Sequence, residues 1–145
     1  MCLQVPTIVG GQSCESCNNA YEALGPPDSY VSEEKFDHAL ERYGLSGQNG
    51  SSVSTAMLKG WYADRLASEG RWRTFARILS DSGHACSSTL HAEALGSTGV
   101  EVYRYFFDYV TNGLPGATHG GDEGWLFQTK GSTCLLYTSP SPRDS

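Results

Sequence analysis

Two strand-like segments constrain the fold of this chain more than any other feature. Val5–Gly10 (VPTIVG) is a short, nearly continuous apolar run followed by a second glycine, which is typical of a strand buried on both faces of a parallel sheet. Val100–Val110 (VEVYRYFFDYV) is rich in β-branched and aromatic residues and predicts a second strand. Because residues 11–99 lie between them and are largely helical in pattern, the sequence predicts an α/β fold.

The intervening residues carry helix signals. Ser32 is a typical N-cap, Glu33 and Glu34 suit the positive end of a helix dipole, and Gly44 follows the last apolar residue of the pattern. Glycine-rich loops are predicted at Gly44–Ser52 and Gly113–Gly124. The predicted helices are Ser32–Tyr43, Val53–Ala67, Arg71–Leu79 and His84–Leu95.

Two strands do not make a stable sheet by themselves, because parallel strands need neighbours on both sides. We therefore expect residues 1–133 to be an incomplete domain, one flank of a larger α/β sheet. The tail, Cys134–Ser145 (CLLYTSPSPRDS), back-translates to a string that resembles a transposase adapter used for sequencing libraries. We interpret it as translated adapter, with the protein continuing past Thr133; the alternative is a genuine Ser/Pro-rich C-terminus.

Charge and hydropathy exclude several function classes. Ten Lys and Arg against sixteen Asp and Glu give a net charge of −6, so no basic surface for nucleic acid or anionic membrane is expected. No apolar run is long enough for a transmembrane segment, and no signal peptide is visible at the start. We predict neither a cofactor nor a metal site.

Cysteine spacing leaves two interpretations. Cys14-Glu-Ser-Cys17 is a C-x-x-C motif, which can be a redox pair or half of a zinc site. A second C-x-x-C or a spaced histidine pair is missing from the sequence, so a chance pair in a loop is the favoured interpretation.

The predicted catalytic residues lie in the loops that follow the two strands. His119 lies in the glycine-rich segment after the second strand, and Glu15 lies in the loop after the first. Open α/β sheets hold their ligands at the carboxyl ends of the strands. A carboxylate there could accept the Nδ1–H of the imidazole and fix its tautomer. Glu15 and His119 are therefore the predicted catalytic pair, the alternative being two solvated loop residues. The histidines on predicted helices, for which we expect surface or packing roles, are His38, His84 and His91.

Several segments resemble the histidine region of type-B carboxylesterases and cholinesterases, which are α/β-hydrolases. That family shows a strand VYxYxF, a loop GAxHGxE/D and an aromatic-aliphatic-Phe run. The corresponding segments here are Val102–Phe107, Gly116–Asp122 and Trp125–Phe127. The family's acid loop, G-x-N-x-D-E-G, is matched less closely by Gly10–Ser16, in which Cys stands for the Asp and Ser for the last Gly. The resemblance extends from about Val5 to Phe127.

The resemblance implies a partial α/β-hydrolase fold and a serine carboxylic-ester hydrolase acting on a small-molecule ester. His119 would be the general base and then the general acid, and Glu15 its orienting carboxylate. Asp81 and Cys86 match positions that we interpret as structural; the family often pairs this Cys with one further downstream, and here we expect it to be unpaired.

The nucleophile elbow G-x-S-x-G and the oxyanion-hole glycines are missing from these 145 residues, so we predict no turnover by this polypeptide alone. The alternative is a piece of a non-catalytic, cholinesterase-like adhesion domain. The Asn49-Gly50-Ser51 sequon and the disulfide position implied by the family favour a secretory location.

Overall fold

The structure, a computed structural model, describes residues 5–45, 53–110 and 113–126. It is a mixed α/β fold, as predicted, with a two-stranded parallel sheet. A π-helical segment, Asp81–Ala85, joins two of the helices. The strands are β1 (Thr7–Gln12) and β2 (Val102–Phe107), and the helices are α1 (Cys17–Leu24), α2 (Glu33–Arg42), α3 (Thr55–Trp61), α4 (Ala63–Ser80), α5 (Cys86–Ser97) and α6 (Glu123–Leu126).

The register of the sheet brings the loops that follow the strands to one edge. Thr7 lies opposite Val102 and Gln12 lies opposite Phe107, so both strands end at the same level. Because they are parallel, the segments that carry Glu15 and His119 leave the sheet side by side.

The hydrophobic core lies between helices rather than on the sheet. Phe75 of α4 is fully buried and meets the ring of Phe36 edge-on at 6.2 Å and that of Tyr43 at 5.7 Å. Such T-shaped pairs suit the quadrupoles of aromatic rings. The other buried side chains of this core come mainly from α1, α2 and α4, and include Cys17, Ala20, Leu24, Leu40 and Ile78.

The prediction that the first strand is buried on both faces is wrong. Helix α5 packs against both strands, but Ile8 of β1 is 70% exposed and Phe106 of β2 is 67% exposed. The physical reason is that an apolar run indicates only a potential for burial. Burial on both faces needs covering elements on both sides of the sheet, and here the side chains of Ile8 and Phe106 are left uncovered.

Helix α2 follows its sequence signals closely. The Oγ of Ser32 accepts a hydrogen bond from the backbone N–H of Lys35 at 3.2 Å, which is the geometry of an N-cap. After the helix, Gly44 has φ 67°, the left-handed conformation that ends many helices. The predicted helix Ser32–Tyr43 is therefore confirmed to within a residue at each end.

The other predicted boundaries are less accurate. The predicted helix Val53–Ala67 is broken at Tyr62, between α3 and α4. The predicted helix Arg71–Leu79 is part of α4, which is kinked at Gly70, where φ is 77° and ψ is 173°. Part of the loop predicted over Gly113–Gly124 is helical, since α6 begins at Glu123.

Several features of the sequence analysis lie outside the described residues. They are Cys2, the sequon Asn49-Gly50-Ser51, Phe127 and the tail Cys134–Ser145. Within the described part of the chain, no helix combines the length and the apolar character needed to cross a bilayer.

Candidate functional site

Three hydrogen bonds hold the loop after β1 against the end of β2 and the loop that follows it. The backbone N–H of Ser13 donates to the carbonyl of Phe107 at 2.9 Å, and that of Cys14 donates to the carbonyl of Ala117 at 2.9 Å. The N–H of Ala117 donates in return to Ser13 Oγ at 2.8 Å. A Cβ atom at Gly116 would lie 2.8 Å from Cys14 Cβ, so this approach requires glycine.

The two predicted site residues meet at this edge of the sheet. The distance from Glu15 Oε2 to His119 Nδ1 is 2.8 Å, although the residues are 104 positions apart. Glu15 Oε1 accepts the backbone N–H of Gln12 at 2.8 Å, which fixes the carboxylate from the other side. Because an ionised carboxylate only accepts hydrogen bonds, Nδ1 carries the proton and Nε2 keeps its lone pair.

Burial of the pair is uneven. The side chain of Glu15 is 6% exposed, whereas that of His119 is 68% exposed. The acid is thus held inside the protein while the imidazole faces outward. This is the arrangement that an orienting carboxylate and an accessible proton acceptor need.

Glu15 lies between two cysteines that form a disulfide. Cys14 and Cys17 are joined, and Glu15 lies in the short loop that the bond closes. The favoured interpretation of this motif as a chance pair is wrong. The motif follows β1 and opens α1, since Cys17 is the first residue of that helix, and both cysteines are buried. The loop is also tied to α4, because the N–H of Ser16 donates to Ser80 Oγ at 3.1 Å.

A second carboxylate, which the sequence analysis did not assign a role, supports the site. Asp122 is buried and accepts hydrogen bonds from Gln12 Nε2 and from the hydroxyl of Tyr105. The hydrogen bond to Asp122, together with burial and the negative charges of Asp122 and Glu15, raises the pKa of Tyr105 to about 12. The phenol therefore stays protonated and keeps donating at neutral pH.

The position of Tyr105 depends on a glycine in the facing strand. Gly10 lies opposite Tyr105 in the register, and a Cβ atom there would be 1.8 Å from the ring. The ring can lie over β1 only because that side chain is absent. The only sequence signal for this close approach is the Gly-Gly pair, Gly10-Gly11, within the strand.

His84, for which the sequence analysis expected a surface or packing role, lies beside the site residue His119. Its ring centroid is 5.1 Å from that of His119, and its Nδ1 is buried and has no hydrogen-bond partner among the described residues. The π-helical segment that carries it is anchored by Asp81, which accepts from Tyr62 at 2.9 Å and pairs with Arg77 at 3.0 Å. A helical pattern cannot reveal this contact, because it depends on how that segment lies against the loop after β2.

The remaining predicted side chains lie elsewhere. His38 and His91 are exposed on α2 and α5, as expected. Cys86 is an exposed free thiol, in line with the expectation that it is unpaired. Glu15, His84 and His119 each offer a ligand atom, all within 4.8 Å of one another.

Neither a family model, nor a curated protein, nor a solved structure matches the chain.

Proposed function

We propose that Glu15 and His119 are the acid and the base of a Ser-Glu-His ester hydrolase of the α/β-hydrolase type. The observation that carries the proposal is the 2.8 Å contact between Glu15 Oε2 and His119 Nδ1 at the carboxyl edge of two adjacent parallel strands. This contact joins a buried carboxylate to an exposed imidazole, and it leaves Nε2 as the atom that can receive a proton from a nucleophile.

The proposed reaction passes through an acyl-enzyme. A serine hydroxyl attacks the ester carbonyl while its proton moves to His119 Nε2, and Glu15 stabilises the imidazolium through Nδ1–H. The same imidazolium then protonates the departing alcohol. Water, activated by His119, attacks the acyl-enzyme, releases the carboxylic acid and regenerates the serine.

The proposal requires a serine and oxyanion-hole donors from polypeptide outside these 145 residues, because the sequence has no G-x-S-x-G. The exposed apolar residues of the sheet support this view. Ile8 and Phe106 are what one flank of a larger sheet would present to its next strands and helices.

The first test uses the 145-residue chain with an activated ester such as p-nitrophenyl acetate. We expect no stoichiometric burst and only the slow hydrolysis that an exposed imidazole gives with an activated ester, because a His–carboxylate pair without a serine cannot form an acyl-serine. A stoichiometric burst that is lost in His119→Gln would contradict the proposal that the nucleophile lies elsewhere.

The second test uses the polypeptide encoded by an extended transcript. We expect a G-x-S-x-G segment after an upstream strand, and covalent labelling of its serine by a fluorophosphonate. Replacing Glu15 by Gln should lower kcat by roughly 10⁴-fold, as the loss of an orienting carboxylate does in serine hydrolases. His91→Gln, an exposed histidine on α5, is the matched control and should leave kcat unchanged. A full-length protein without the serine would refute the hydrolase and favour an adhesion domain.

A further inference from the structure

Three metal-ligating side chains converge at the edge of the candidate site. Glu15, His84 and His119 each offer one oxygen or nitrogen atom, and these three atoms lie within 4.8 Å of one another. They come from different parts of the chain: the loop after β1, the π-helical segment and the loop after β2. The fold thus brings together a set of ligands that no local spacing in the sequence encodes.

A second, independent observation points to a ligand. The Nδ1 atom of His84 is buried and has no hydrogen-bond partner among the described residues. Buried polar atoms are nearly always paired, and an unpaired one calls for an explanation such as an ion. The ring of His119 lies 5.1 Å away, centroid to centroid, and does not form a hydrogen bond with that nitrogen.

The chemistry of the three side chains selects the class of ion. Two imidazoles and one carboxylate suit Zn²⁺ and neighbouring first-row transition ions, whereas Mg²⁺ and Ca²⁺ prefer oxygen ligands. With metal–ligand bonds of about 2.1 Å, the 2.8 Å separation of Glu15 Oε2 and His119 Nδ1 corresponds to an angle of roughly 85° at the ion. That angle is close to the 90° between adjacent positions of an octahedron, and a tetrahedral ion needs these two atoms to move apart by about 0.6 Å.

We propose that Glu15, His84 and His119 form a binding site for a divalent first-row transition-metal ion, with Zn²⁺ as its representative. The ion enters between Glu15 Oε2 and His119 Nδ1, and a ring nitrogen of His84 is the third ligand. The Nδ1–H bond of His119 breaks, its proton goes to solvent, and the lone pair forms the bond to the ion. Water fills the remaining positions. This inference rests on geometry alone and does not depend on ester hydrolysis.

The test measures Zn²⁺ affinity of the untagged 145-residue chain by competition with a chromophoric chelator. Every protein carries Ser at positions 2, 86 and 134, which removes the thiols outside the disulfide. We expect one Zn²⁺ per chain. His84→Gln should weaken binding at least about tenfold, because substituting even a residue that only supports a metal ligand lowers metal affinity 10–100-fold. His91→Gln, on the neighbouring helix α5, should bind as the parent does.

An NMR measurement that needs no histidine substitution keeps the proposal testable if the His84→Gln variant fails to fold. Zn²⁺ added to the ¹⁵N-labelled chain should shift the imidazole nitrogen resonances of His84 and His119 and leave those of His38 and His91 in place. Absence of stoichiometric binding would overturn the proposal. So would equal weakening by His84→Gln and His91→Gln, or shifts confined to His38 and His91. Because the bound ion would replace the hydrogen bond between His119 Nδ1 and Glu15, the esterase tests on the extended protein are run with a chelator, and their outcome is then independent of these results.

Discussion

The hydrogen bond between Tyr105 and Asp122 makes a quantitative prediction about the candidate site. Asp122 also accepts from Gln12, whose backbone N–H holds Glu15, so Tyr105→Phe removes one support of the acid. In the folded protein the pKa of Tyr105 is raised from 10.0 to about 12. That interval corresponds to about 2.7 kcal/mol. Because Tyr105 is 36% exposed, solvent screens the interaction, and we expect about 1 kcal/mol.

The sign of the pH dependence follows from the direction of this pKa. A folded-state pKa above the unfolded-state value stabilises the protein fully below pH 10, and the contribution is lost as the pH rises through 12. Urea unfolding, followed by tryptophan fluorescence, should therefore show Tyr105→Phe to be less stable than the parent by about 1 kcal/mol at pH 9. Most of that difference should be gone at pH 11.5.

Tyr103 provides a matched control for this measurement. Its hydroxyl also donates to a carboxylate, that of Glu101, but the side chain is 52% exposed and lies outside the site. We expect Tyr103→Phe to leave the free energy of unfolding unchanged at both pH values. A difference between the parent and Tyr105→Phe that stays the same from pH 9 to pH 11.5 would refute the reasoning, as would equal effects of the two substitutions.

Three further substitutions test the framework by urea unfolding. Phe75→Ala should lower the free energy of unfolding by about 3–5 kcal/mol, because it empties the centre of the helical core, and a smaller loss would mean that the core relaxes around it. Gly70→Ala should lower the free energy of unfolding by about 1–2 kcal/mol, because φ is 77° there. Gly60→Ala, within α3, should not lower it, and equal effects of the two substitutions would contradict the kink. Replacing Cys14 and Cys17 by Ser should lower the free energy of unfolding by about 2 kcal/mol, because the unfolded chain regains the conformational entropy that this short loop restricts. An unchanged free energy of unfolding would argue against the disulfide.

Local signals in the sequence predicted those parts of the fold that depend on neighbours along the chain. Ser32, the two glutamates after it and Gly44 define α2, because capping and the conformation of a single glycine need no tertiary partner. The kink at Gly70 was missed for the complementary reason. An isolated glycine is tolerated in a helical pattern, and its φ is decided by how α4 packs.

The pairing of Glu15 with His119 could be predicted because parallel strands end at one edge, a general rule that needs no knowledge of side-chain packing. The contact of His84 could not be predicted, since it depends on the π-helical segment. Burial of β1 was overestimated because the apolar run describes the strand and says nothing about what covers it.

The separation of the core from the sheet gives the candidate site two unequal supports. The loop of Glu15 is fastened to α4 through Ser16 and Ser80, within the buried helical part, whereas His119 follows a strand whose surface is largely open. Segments with few buried contacts unfold locally at lower free energy than segments at the centre of a core. Amide hydrogen exchange should thus be slowest along α4 and faster along β2. The imidazole can leave the carboxylate through a local opening of the strand, while the helices keep their native packing.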